Sequence, residues 1–127
     1  KAGLELFRGE AGCIACHHGP LLSDEQFYHL GVSYRDTGRS RITRNKDDRF
    51  RFRTPSLRSI AETGPYMHDG SIETLEDVVL FYYRGVPDSG TDIAALRSQS
   101  ISEVDLLVAL LRSLSGPLPD ITPPLLP

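Results

Sequence analysis

Two cysteines three positions apart with a histidine directly after them, Cys13-Ile14-Ala15-Cys16-His17, are the residues of this chain best suited to chemistry. Thiols at that spacing can form thioethers to both vinyl groups of one haem, while the imidazole that follows reaches the iron as an axial ligand. The sequence holds no other cysteine. A structural zinc site needs four ligands, and neither a second CxxC nor a spaced histidine pair follows. Thioredoxin-like exchange sets CxxC between a strand and a helix, and no strand pattern precedes Cys13. The motif therefore predicts one covalent haem on Cys13 and Cys16 with His17 as proximal ligand, zinc or a plain disulfide being the alternatives.

The elements that position this motif must come from 127 residues, a length that fits one domain. The formal charge of -3 disfavours nucleic acid and anionic membranes as partners, since both need a concentrated basic face. One basic run does exist: Arg39, Arg41, Arg44, Lys46, Arg49, Arg51, Arg53 and Arg58 gather between positions 35 and 58. Most of it reads as a solvated loop, and Arg53 and Arg58 are the candidates to neutralise the haem propionates. No stretch approaches the roughly 20 apolar residues of a membrane span. No signal peptide opens the chain, which reads as a mature protein or an excised piece of one. Haem attachment to CxxCH takes place on the outer side of the energy-transducing membrane, so a bacterial periplasm is the expected location.

Along the chain, residues 1 to 12 predict a short helix with Gly3 and Phe7 on one face, the glycine allowing a second helix to approach closely. His18-Gly19-Pro20 predicts a turn, Asp24 to Leu30 a turn or two of helix, and residues 31 to 53 a long ordered loop. His18 and His29 read as surface or propionate-side histidines. Pro55 suits the start of a helix over Ser56 to Glu62, which Gly64-Pro65 ends. Thr74 predicts an N-cap with Asp77 at the capping-box position, and Leu75, Val78, Val79 and Tyr82 a buried stripe, with Gly85-Val86-Pro87 as the stop. A turn region then runs to Asp92. Ser102-Glu103-Val104-Asp105 repeats the capping pattern ahead of Val104, Leu107, Val108, Leu111 and Leu114. The expected organisation is a haem domain over 1–116 and a proline-rich tail over 117–127. The expected fold class is all-α, with no strand, an N-terminal helix across a C-terminal one, and long loops around one covalently bound haem; this resembles the class I cytochrome c fold.

Arg51-Phe52-Arg53-Thr54-Pro55-Ser56-Leu57-Arg58, then Thr63-Gly64-Pro65-Tyr66-Met67-His68-Asp69-Gly70-Ser71, then Thr74 to Val79, resemble the C-terminal haem domain of the bacterial di-haem cytochrome c peroxidases and of their relative MauG. The resemblance runs from the CxxCH to Leu114. It implies that His68 lies near the haem without ligating it, and Arg53, Pro55, Arg58 and Met67 stand with it as the candidate haem-binding residues. In the peroxidases a distal methionine lies fourteen residues beyond the histidine of this motif, and counting on from His68 reaches Tyr82. MauG has a ligating tyrosine at that place, so the resemblance implies His17/Tyr82 ligation. On periodicity alone Tyr82 reads as a core tyrosine. Met67, the single methionine, would be the distal ligand of an ordinary cytochrome c, and Tyr83 ranks third. Thr63 and Pro65 match positions whose backbone carbonyls bind calcium in the family, although Ca²⁺ wants six to eight oxygens.

Family members carry a second haem domain, and this chain has one CxxCH. The expected function is therefore an electron-transfer haem domain working with a redox partner protein or a second haem domain. The alternative is a peroxidase or high-valent oxidant in its own right, which needs an open iron position.

Overall fold

The structure, a computed structural model, describes residues 1–85 and 101–117. Helix α1 spans Ala2–Arg8 and stops sooner than expected, because Gly9 caps it by donating its N–H to the carbonyls of Glu5 and Leu6. Gly12, at φ 62°, then turns the chain into a 3-10 turn over Cys13–Ala15. Phe7 and Gly3 are the buried residues of α1, and they meet the last helix as the sequence led us to expect. A Cβ on Gly3 would overlap the backbone carbonyl of Leu106.

The expected all-α class is overturned by a two-stranded antiparallel sheet. Strand β1 (Phe27–His29) pairs with β2 (Arg51–Arg53), setting Phe27 opposite Arg53, Tyr28 opposite Phe52 and His29 opposite Arg51. The helical turns expected between Asp24 and Leu30 are thus a strand. The expected loop to residue 53 also holds helix α2 (Ser40–Thr43) and a 3-10 turn over Lys46–Asp48. Strands of three residues are too short to show an alternating period, and each is completed by a partner distant in sequence. The helix expected over Ser56 to Glu62 shrinks to a 3-10 turn, Ile60–Glu62, because Ser59 adopts a left-handed φ of 54° that no helical run can cross.

Helix α3 (Leu75–Arg84) starts as its sequence predicts, with Thr74 Oγ1 accepting from the Asp77 amide at 3.1 Å, and Gly85 follows it at φ 64°. Its buried stripe is rotated from the expected one. Leu75 and Val79 enter the core and Leu80 and Tyr83 pack against it, whereas Val78 and Tyr82 are partly buried outside that cluster. Helix α4 (Ile101–Ser113) already includes Ser102, so that serine lies within the first turn and is not the cap. Its Val104, Leu107, Val108 and Leu111 join Phe7, Ala11, Leu57, Leu75 and Val79 in one core. The stop at Val86-Pro87, the turn region to Asp92 and the tail beyond Pro117 lie outside the described residues.

The crossing of α1 and α4 depends on Gly3 having no side chain. Gly3→Ala is expected to destabilise the domain by about 1–3 kcal/mol through overpacking, read in urea or thermal unfolding. An unchanged midpoint would mean that the helices do not cross there.

Candidate haem site

Cys13 and Cys16 are free thiols, both partly buried. Burial raises both, Cys13 to about 11, so each is a neutral thiol at pH 7. The 3-10 turn folds His17 back, its amide donating to the Cys13 carbonyl at 2.9 Å. His17 Nδ1 lies 3.0 Å from the carbonyl oxygen of Leu22. A carbonyl only accepts, so Nδ1 carries the proton and the Nε2 lone pair is left for a metal. Burial lowers the His17 pKa against the opposing pull of that hydrogen bond and of Asp24, favouring the neutral ligand form. Two thiols at thioether spacing and a tautomer-fixed imidazole fit haem attachment.

The Leu22 carbonyl is itself held in place. Leu22 sits at a left-handed φ of 51°, and Asp24 donates its amide to the Cys16 carbonyl at 2.8 Å. The Arg53 to Arg58 run clasps the same segment. Ser56 Oγ donates to the Leu21 carbonyl at 2.6 Å and Arg58 Nε to that of Pro20 at 2.7 Å. Ser23 Oγ donates in return to the Thr54 carbonyl at 2.7 Å. Arg53 Nη2 meets Glu25 Oε1 at 2.5 Å, an exposed ion pair of modest worth. The two arginines read from the sequence as propionate partners thus both reach the loop after His17, with Pro55 exposed between them in sequence.

Tyr82 lies within electrostatic reach of both Cys16 and Cys13. Burial first, then those two neighbours, push its phenol up to about 12. Met67 is partly buried at a left-handed φ of 68°. The His68 ring stacks on Phe52 of β2, centroids 3.6 Å apart and planes 15° from parallel. His29 is no surface histidine: it is buried against Tyr34 and Phe50, while His18 is exposed. Thr63 and Pro65 are exposed, and among the described residues no group of three or more His, Cys, Asp or Glu side chains could hold a metal ion. Calcium there would need oxygens from elsewhere.

Sequence reasoning missed Tyr28. Its hydroxyl donates to Asp24 Oδ2 at 2.7 Å and also interacts with Cys16. The Asp24 carboxylate, helped by burial, holds the phenol well above its usual pKa. Asp24, whose amide is bound to the Cys16 carbonyl, brings it to the cysteine, while the strand register sets it opposite Phe52.

Known proteins of this kind are recognisable by comparison. The cytochrome-c peroxidase IdrP1 of Denitromonas iodatirespirans is 36% identical over 91% of this chain and 40% of its own length. The cytochrome c551 peroxidase of Nitrosomonas europaea is 37% identical, covering 98% of the chain and 36% of its own. The methylamine utilization protein MauG of Methylorubrum extorquens is 36% identical over all of the chain and 37% of its own length. This chain is a homologue of the cytochrome c peroxidases and MauG. It spans about two-fifths of the length of these curated relatives. A crystal structure of a MauG-like protein associated with microbial copper homeostasis superposes with a TM-score of 0.81 at 29% identity, over 91% of this chain and 46% of that one. No family model matches the chain. Homology to these cytochrome c peroxidase and MauG proteins implies c-type haem, in agreement with the donor set at Cys13, Cys16 and His17. No described helix is long and apolar enough to cross a membrane.

If Ser56 and Arg58 fasten the loop that orients His17, Ser56→Ala and Arg58→Ala should each lower stability by about 1 kcal/mol. The double variant should lose His17 ligation at a lower urea concentration than wild type, read from the Soret band. Wild-type midpoints in both single variants would mean that the loop holds its shape unaided.

Proposed function

We propose that the chain is a periplasmic c-type haem domain of the di-haem cytochrome c peroxidase/MauG kind, matching their C-terminal haem domain and relaying electrons. Its redox partner is a second haem domain or a separate protein. Cys13 and Cys16 hold one haem and His17 is its proximal ligand. Bound there, the haem supplies a one-electron iron couple. The chain's residues orient the imidazole through Leu22, shield the site with α3, and line the proximal edge with Arg53, Pro55 and Arg58. Met67 and His68 line the side beyond the sheet. Calcium at Thr63 and Pro65 belongs to this reading only where a further part of a longer protein completes its ligands.

The observation that carries the distal assignment is the split between neighbouring tyrosines on α3. Tyr83 packs on the core, while Tyr82 stands off it, towards the cysteines. Burial holds the phenol neutral, near 12, in the absence of a cation. Were the Tyr82 oxygen to hold ferric iron, that balance would reverse and phenolate, a hard donor favouring Fe(III), would be the stable form. Tyr82 in that role would leave little room for peroxide, which favours relay over turnover.

Tyr82→Phe is expected to open the iron to added ligands such as cyanide and to change the optical and electron paramagnetic spectra, with Tyr82→Met raising the reduction potential. An untouched spectrum in Tyr82→Phe, with the ligand signature lost in Met67→Ala, would make this a His/Met site. Acid acetone should leave the haem on the chain, and its release would overturn covalent attachment. Peroxide turnover comparable to that of two-haem enzymes would favour the catalytic alternative.

A further inference from the structure

We infer that the arm formed by α2 and the turn after it is a docking surface for the acidic face of a partner protein, with Ile42 at its apolar centre. Charge is segregated along this chain. Nine of its fourteen basic residues fall within positions 35 to 58 beside three acidic ones, leaving five basic and fourteen acidic residues elsewhere. Segregation of that kind creates a positive field that steers an acidic partner towards one face.

The arm is built, not trailing. Gly38, at φ 59°, turns the chain tightly enough that a Cβ there would come within 2.6 Å of the Arg51 carbonyl. Arg39 donates its amide to that carbonyl at 3.0 Å and lays its guanidinium on the Phe27 ring at 3.8 Å. Phe50 closes the base through its amide to the Thr37 carbonyl at 3.0 Å. The arm is thereby fixed to the β1–β2 sheet, whose first strand follows directly from the loop that orients His17.

At its tip Ile42 is 85% exposed, the most exposed of the large apolar side chains described. Arg41, Arg44, Lys46 and Arg49 surround it in sequence, all exposed. Arg41 has only a loose pair with Asp36, at 3.8 Å between largely exposed groups, and Arg44 and Lys46 have no ion pair among the described residues. An exposed apolar residue flanked in sequence by exposed cations, two of them without an ion pair, is the pattern of an interface centre with a charged rim. Asp47 and Asp48 interrupt the run, which suits a patterned protein face better than a uniform polyanion or an anionic membrane.

The proposal rests on the relay reading only for the partner being a redox protein, so binding and electron transfer are measured separately. The probe is plastocyanin, a small blue-copper protein with an acidic patch, added to the haem-loaded protein at its natural length. Affinity should fall by about tenfold or more as salt rises from about 10 to 100 mM. Arg41→Glu with Arg44→Glu should weaken it by about tenfold at low salt, and Ile42→Ser should weaken it without changing the salt slope, all with unaltered haem spectra. A salt-independent affinity, indifference to these substitutions, or tighter binding to phosphatidylserine vesicles than to plastocyanin would overturn the docking surface. Binding at the arm without electron exchange would leave it standing and sink the relay. Electron exchange insensitive to salt and to the arm variants would do the reverse.

Discussion

The hydrogen bond from His17 Nδ1 to the Leu22 carbonyl is the constraint around which this domain is arranged. An imidazole has one nitrogen to give to iron, and which one it gives is decided by what the other does. Pinning Nδ1 requires a carbonyl aimed at the ring from five residues downstream, and a left-handed leucine supplies that aim. Left-handed backbone is disfavoured for a residue with a Cβ, so its neighbours must hold it. Ser56, Arg58 and Thr54 do so from a segment more than thirty residues away, through the carbonyls of Pro20 and Leu21 and the hydroxyl of Ser23. A run whose cations invite a purely electrostatic reading thus acts first through geometry.

The second constraint is that helix α3 serves two neighbours at once. One face, through Leu75, Val79 and Tyr83, closes the core made by α1 and α4, and another leaves Tyr82 free of it. Adjacent residues on a helix point about 100° apart, so the two tyrosines face different neighbours, and it is Tyr83 that packs against the core. The core is small, and the contact that orients it, α1 against α4, exists because Gly3 brings nothing between the two backbones. Placement of Tyr82 therefore depends on a crossing at the opposite end of the chain.

The sheet joins the site to the surface. β1 and β2 bring Tyr28 to Cys16 and Phe52 to His68, and they support the arm that carries Ile42. Rings stacked at the sheet and hydrogen bonds at the proximal loop place the two sides of the site on one frame. In a homologue of the cytochrome c peroxidases and MauG, such a frame accounts for strongly spaced motifs separated by a segment of little evident pattern.

What the sequence determined by itself is local. The CxxCH, the Thr74 and Asp77 cap, the Gly85 stop, the Gly3 and Phe7 face and the α4 stripe are each complete within a few residues, because capping and helical periodicity act between near neighbours. The relatedness was equally legible, since motif order and spacing need no coordinates. Tertiary structure decided the rest. Two three-residue strands carry no period, and the clamp on Leu22 is a set of hydrogen bonds across long sequence separations. Even the stripe on α3 is rotated from the one its periodicity predicts, because Val78, Val79, Tyr82 and Tyr83 are apolar or aromatic all round that side, and which of them turns inward is settled by the helices it packs against and not by its own pattern.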